Sequence, residues 1–301
     1  VGAIPVFADI NPNTQNIDVE KVPNLISKKT KAIICVHLAG WPCEMDSLIK
    51  VARAHKLKLI EDCAQAHGSL YKGKSVGSIG DIGCWSFCQD KIMTTGGEGG
   101  MITTNSKKIW RKIWEYKDHG KSYSQTNKKI NKPGFRWLHN TFGTNWRMTE
   151  MQAVIGRLQL KKMNQWTELR NRNQGLIWNF CKKISGLRVP DFPNDDNSVH
   201  AAYKCYVFIN KSKLKKNWTR DRIMAEINNK GVPCFSGSCA EIYLEKAFRK
   251  NNLGPKERLK CAKKIGEESL MFLIHPTLNK SEINKTNDAI KSVMLLAANT
   301  D

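Results

Sequence analysis

Acidic residues are scarce in this sequence: 27 aspartates and glutamates stand against 49 lysines and arginines, a formal charge of +22. No apolar run approaches the roughly 20 residues that cross a bilayer, and no basic-then-apolar leader with a small-residue cleavage site opens the chain. The expectation is a soluble, cytosolic protein. No Cys-x-x-Cys pair occurs among the ten cysteines. Cys84 and Cys88 come nearest to a cluster, and no histidine is spaced to complete a zinc site with them. No metal is therefore expected, and the cysteines read as buried thiols in a reducing compartment. Helix-turn-helix, zinc-finger and RNP-like aromatic patterns are absent too, which argues against nucleic-acid binding despite the charge. There is no internal repeat. An initial methionine is also missing: the chain opens directly on the strand-like Val1–Asp9, and the expectation is a fragment lacking an N-terminal portion.

What is present is ordinary globular composition, 41% hydrophobic and 25% charged over 301 residues, enough for one large domain and a smaller one. The basic residues are spread along the chain, with a mild excess in Lys211–Arg222 and Lys246–Lys264. A surface of that sign attracts anionic small substrates such as a nucleotide diphosphate.

Along the chain, Ile4–Ile10 reads as a strand, Asn11–Thr14 as a turn and Val19–Ser27 as a short helix. Ala32–Leu38 is an unbroken apolar run, the mark of a strand buried on both faces. Met45–His55 carries Leu48, Ile49 and Ala52 at helical spacing, and Leu57–Ile60 is the next strand, stopping at Glu61-Asp62. Strand, helix, strand at these intervals is a βαβ unit, so the fold class is α/β with a largely parallel, helix-covered sheet. Tyr71–Gly83 reads as loop, Cys84–Phe87 and Gly100–Thr104 as strands, and Ser106–Tyr116 as a helix. Asp118–Asn145 reads as a long irregular segment of the kind that is functional or packs on a partner. Thr149 and Gln152 form a capping box that opens a long helical pattern, broken once and running to Ile184. Lys204–Ile209 and Val232–Phe235 read as strands, and Arg220–Asn229, Lys256–Leu270 and Ser281–Ala297 as helices. The division expected is a large domain over 1–165 and a small α+β domain over 166–301.

Parallel α/β sheets hold ligands at the carboxyl ends of their strands. Asp62 and Ser86 fall at such ends, and Lys91 lies just beyond. Lys91 sits among neutral, apolar and small residues, a setting that disfavours the ammonium form and leaves an amine able to attack a carbonyl. Asp62 is either a helix cap or a carboxylate held ionised against a buried cation. Pyridoxal phosphate needs both groups at once: a lysine for its aldehyde and a carboxylate for its protonated ring nitrogen. Ser86 is either a phosphate-binding hydroxyl or a buried strand serine. The run Gly96-Gly97-Glu98-Gly99-Gly100 fits no P-loop or dinucleotide fingerprint and reads as a tight turn. Gln65 and His67 either face the ring or simply pack.

Four stretches carry a closer likeness. Glu61-Asp62-Cys63-Ala64-Gln65-Ala66-His67-Gly68, Ser86-Phe87 followed by Lys91, Thr94–Gly100, and Gly143–Ala153 (GTNWRMTEMQA) together resemble the DegT–StrS family of sugar aminotransferases. Gly2–Asp9 and His275-Pro276 resemble further segments of it. The resemblance implies a fold-type I, pyridoxal phosphate-dependent transferase. On it, Lys91 would be the Schiff-base lysine and general acid-base, and Asp62 would pair with the ring nitrogen. Gln65 would lie beside the ring hydroxyl and Ser86 would bind the phosphate. Asn145 would reach the phosphate of a neighbouring subunit, implying a homodimer with shared sites, and Arg147 would order its loop. A lysine at position 91 favours transamination over the dehydration that members with histidine there perform. The substrates implied are glutamate as amino donor and a nucleotide-linked keto-deoxysugar. The family's N-terminal phosphate turn and ring-stacking aromatic have no counterpart here. Trp146 replaces a frequent tyrosine, and Gly231–Gly237 suggests a sub-branch with its own substrate. The alternative is an impaired fragment or paralogue that keeps only a dimerisation or binding role.

Overall fold

The computed structural model describes residues 1–129, 133–192 and 197–299. Two four-stranded sheets organise it. In the first, β1 (Ala32–Val36) leads through α1 (Met45–Ala54) to β2 (Lys58–Asp62). After a small hairpin, β3 (Leu70–Tyr71) and β4 (Lys74–Ser75), come β5 (Ile82–Ser86) and β6 (Gly100–Thr103). The order is β1-β2-β5-β6, parallel except for the antiparallel β5–β6 pair. This is the expected mostly parallel α/β sheet. Helix α1 buries Met45, Leu48 and Ala52 against Ile33, Cys35 and Leu59, because the 3.6-residue period puts those three side chains on one face.

Helices α2 (Lys107–Lys117) and α3 (Tyr123–Thr126) follow; of the irregular stretch expected over 118–145, residues 130–132 lie outside the described part. The capping box is formed: Thr149 and Gln152 bond reciprocally at the start of α4 (Glu150–Leu160). A break at Lys161-Lys162 precedes α5 (Met163–Cys181). Met163 packs with Phe87, Ile92, Met93 and Tyr203 beside the first sheet, whereas Ile177 and Cys181 enter the core of the second. One helix thus spans both sheets.

The second sheet is β7-β8-β10-β9, antiparallel throughout, from β7 (Leu187–Arg188), β8 (Cys205–Ile209), β9 (Cys234–Phe235) and β10 (Ser269–Phe272). Helices α6 (Arg220–Asn229), α7 (Lys246–Lys250), α8 (Lys260–Glu268) and α9 (Lys280–Ala297) accompany it. Strand β8 is buried along its whole length. No described helix is long and apolar enough to cross a membrane.

Three expectations are corrected. Ile4–Ile10 makes only an isolated bridge, Ile10 to Ile17. Its side chains serve the second half instead: Asp9 accepts from the Cys261 and Ala262 amides at 2.9 Å, capping α8 from outside. Phe7 meets Tyr243 and Phe248 edge-on. Strand β1 is buried on one face only, with Ile34 and Val36 exposed, since α1 covers the Ile33–Cys35 side. The helix expected over Lys256–Leu270 ends at Glu268, where pairing with β8 and β9 draws the next four residues into β10.

Candidate active site

The carboxyl ends of β2 and β5 lie side by side, with Asp62 registered against Cys84 and Ser86 two residues further along β5. The loops that follow meet. His67, beyond β2, packs its ring on Trp85 and Phe87 at centroid distances of 5.3 and 5.8 Å. Phe87 anchors the lysine loop: its amide donates to the Gly99 carbonyl, and its own carbonyl accepts from Thr95 N and Thr94 Oγ1. Gly96 (φ +79°) and Gly97 (φ +140°) turn the loop back, a conformation L side chains rarely adopt. The glycine run is therefore the tight turn its composition suggested.

Each strand-end residue is held in a definite way. Asp62 Oδ1 accepts from the Ala64 amide at 3.0 Å, leaving its second oxygen without a partner among the described residues. Gln65 Oε1 accepts from the Ala39 amide at 2.8 Å, so its NH2 group is the end left to donate. Ser86 Oγ accepts a long 3.4 Å bond from the Cys88 amide. The Lys91 side chain is 18% exposed, with Nζ 3.7 Å from Asp90 and 5.7 Å from the centroid of the Tyr203 ring. The Tyr203 hydroxyl donates to Asp90 at 2.7 Å, and this bond holds the carboxyl below its usual range. Burial pushes the His67 pKa down to about 4, with Lys91 and Arg170 adding to the effect against an opposing pull from the Ser86 carbonyl. His67 is neutral at neutral pH, and among the described residues neither ring nitrogen makes a well-formed hydrogen bond.

Asn145 is not gathered into this group. It is exposed on the irregular arm, where it bridges Asp118 and accepts from Arg147 Nε at 3.1 Å. Arg147 also pairs with Asp118 at 3.2 Å, which ties the arm together.

Behind the site, Glu61 braces the end of β2. Its oxygens accept from His37 Nε2 (3.1 Å) and from the amides of Gly77 (2.7 Å), Ile79 (2.9 Å) and Gly80 (2.6 Å). His37 Nδ1 accepts from the Cys43 amide, which places the ring proton on Nε2, facing Glu61. Burial works to raise the Glu61 pKa, but the His37 bond and the Gly80 and Gly77 amides outweigh it and the net direction is down. His37, Glu61 and Cys63 lie close enough to hold a metal ion, yet both carboxylate oxygens are already occupied by protein donors. The cluster acts as a brace.

Two residues that sequence reasoning passed over stand beside Lys91. Arg170, on α5, is buried and its Nε has no partner among the described residues; Lys204, just before β8, sits with Nζ 4.7 Å from the Tyr203 ring centroid. Nothing in their local sequence marks them, apart from a lysine heading an otherwise apolar strand.

The donor set fits pyridoxal phosphate. An amine suits its aldehyde, a carboxylate with an uncommitted oxygen suits its protonated ring nitrogen, and a strand-end hydroxyl suits its phosphate. The wider likenesses agree. Residues 1–291 match the DegT/DnrJ/EryC1/StrS aminotransferase family. A GDP-perosamine synthase from Caulobacter vibrioides is 32% identical over 98% of this chain and 74% of its own length. One from Escherichia coli O157:H7 is 40% identical over 62% and 47% respectively. The crystal structure of an aminotransferase from Psychrobacter cryohalolentis superposes with a TM-score of 0.94 at 56% identity, covering 98% of this chain and 76% of that one. The chain belongs to the DegT/DnrJ/EryC1/StrS aminotransferase family and is a pyridoxal phosphate-dependent aminotransferase.

Proposed function

We propose that this protein transfers an amino group from glutamate to a keto group of a nucleotide-linked deoxysugar. What supports the reading is the strand register: Asp62 closes β2 opposite Cys84, Ser86 closes the neighbouring β5, and Lys91 follows in the loop just beyond it. The perosamine synthases it resembles point to a nucleotide-sugar acceptor, and the charge of +22 favours an anionic one.

Pyridoxal phosphate, when bound, supplies an electron sink that acidifies the carbon bearing the amino group. Lys91 Nζ would hold the cofactor through its aldehyde and would serve as the acid-base group for the carbon bearing the amino group. The open oxygen of Asp62 would pair with the ring nitrogen and favour its protonated form. Gln65 would offer its NH2 to the ring hydroxyl, and Ser86 would donate to the phosphate. His67, neutral and wedged against Trp85 and Phe87, positions the loop after β2 without adding charge.

In this reading residues 1–165 carry the cofactor and 166–301 form the smaller unit. Asn145, exposed and fixed by Arg147, serves the phosphate of a second copy in a cytosolic homodimer with shared sites. The test is to supply purified protein with pyridoxal phosphate, glutamate and a set of GDP- and UDP-linked keto-deoxyhexoses, measuring 2-oxoglutarate and aminated sugar. Turnover should fall by about 1,000-fold or more in Lys91→Ala, which lacks the proton-transferring amine. Normal turnover by that variant, or no aminated product from any sugar, would end the assignment.

A further inference from the structure

Beside Lys91 the described residues collect more positive charge than the one nearby carboxylate, Asp90, balances. Arg170 is 4% exposed. Its Nη1 makes one long bond, 3.4 Å to the Tyr203 carbonyl, and its Nε makes none. Lys204 and Lys91 both place their ammonium groups against the Tyr203 ring, at 4.7 and 5.7 Å from its centroid. The carboxylate facing this group is Asp90, and it is committed to the Tyr203 hydroxyl at 2.7 Å.

Lys91 and Lys204 therefore share one carboxylate, and Arg170, buried beside them, has none. An uncompensated buried charge is costly, and it disfavours the charged forms of its neighbours. Burial lowers the Arg170 pKa to about 10. Burial, then Arg170 and Lys91, pull Lys204 down against Asp90. Burial, Arg170 and Lys204 do the same to His275. Attaching a cofactor to Lys91 would occupy one of the three cations and leave Arg170 and Lys204.

We propose that Arg170 and Lys204 form an oxyanion subsite that takes a carboxylate of the dicarboxylic amino donor while its amino group meets the cofactor beside Lys91. The guanidinium matches a carboxylate through two parallel N–H groups, and the free Nε is one of the donors such a pairing uses. Both residues come from elements of the second half, α5 and the approach to β8, whereas Lys91 comes from the loop after β5. The donor is thus clasped between the two halves. This assignment rests on the glutamate-dependent reading above, and it adds the residues that select a dicarboxylate.

The other oxyanion this enzyme would meet is the diphosphate of the nucleotide sugar, and the experiment separates the two. Glutarate has both carboxylates of the donor and no amino group, so it binds without reacting. Its affinity for the holoenzyme, and those of UDP and GDP, are measured by isothermal titration calorimetry on wild type, Lys204→Gln and Arg170→Lys. Glutarate binding should weaken about tenfold or more in both variants, matching the loss of a charge-assisted hydrogen bond, while UDP and GDP stay within twofold. In the donor half-reaction, KM for glutamate should rise by a similar factor with kcat changed less than about threefold, the mark of lost ground-state binding. Lys204 is half-buried and its change to glutamine is not expected to disturb folding, so it decides the matter if the Arg170 variant does not fold. Glutarate affinity unchanged in Lys204→Gln would mean that the corner holds only water, and would overturn the proposal. So would absence of glutarate binding to wild type, or a loss confined to UDP and GDP. Failure of the nucleotide-sugar reading would look different: the donor half-reaction would proceed and respond to Lys204, but no sugar would be aminated.

Discussion

Replacing Glu61 with glutamine probes the brace that fixes the end of β2 next to Asp62. The carboxylate receives four hydrogen bonds, two at each oxygen, from His37 and Gly77 on one side and Ile79 and Gly80 on the other. An amide keeps one oxygen and turns its NH2 toward the other pair, so two buried donors lose their acceptor whichever way it sits. At about 1–3 kcal/mol for each stranded group, the variant should lose about 2–6 kcal/mol at pH 7. Urea unfolding followed by tryptophan fluorescence measures this. The pH dependence gives a second check. Because the folded pKa of Glu61 lies below its ordinary value of 4.5, its contribution is full above that value and is lost as pH falls through the folded value. The gap between wild type and Glu61→Gln should therefore be constant from pH 8 to about 5 and close in stronger acid. A loss under about 1 kcal/mol at pH 7, or a gap that widens in acid, would refute the reasoning.

Other outcomes follow from single contacts. Asp62→Asn should slow the donor half-reaction by about 10–100-fold, the worth of one hydrogen bond to a charged group, in single-turnover absorbance measurements. Ser86→Ala should raise the dissociation constant for pyridoxal phosphate about tenfold by the same accounting, read by cofactor titration. Gly68 has φ +91°, and a Cβ there would lie 2.4 Å from Thr167 Oγ1; Gly68→Ala should cost about 2–3 kcal/mol in urea unfolding from backbone strain and the forced shift of α5. Burial lowers the His200 pKa from 6.5 to about 3. The unfolded chain then binds that proton first as pH falls, so wild type should lose about 1.4 kcal/mol of stability per unit below pH 6.5 relative to His200→Gln.

The parts of this fold that could be read from the sequence are those specified by short-range patterns. The βαβ unit over 32–62 announced itself because its helix has one apolar stripe and its second strand stops at Glu61-Asp62. The capping box at Thr149 formed because both of its bonds lie within four residues. What could not be read depends on distant partners. Ile4–Ile10 has a strand's composition, yet its aromatic and carboxylate find α7, α8 and Tyr243 some 240–250 residues away. Strand β10 hides inside a helical pattern, and only its pairing with β8 and β9 separates it. The same holds for the site. Asp62, Gln65, Ser86 and Lys91 share two local stretches, which is why they stand out together as candidates. Arg170 and Lys204 meet Lys91 only through Tyr203, across 79 or more residues of chain.

The central claim is that Lys91 is the residue that carries the cofactor. Treating the pyridoxal phosphate-loaded protein with borohydride and mapping its peptides by mass spectrometry tests it most directly. The account predicts a phosphopyridoxyl group on the peptide containing Lys91 and nowhere else at stoichiometric yield. A stoichiometric label on any other lysine, or none on Lys91 in protein saturated with the cofactor, would contradict it.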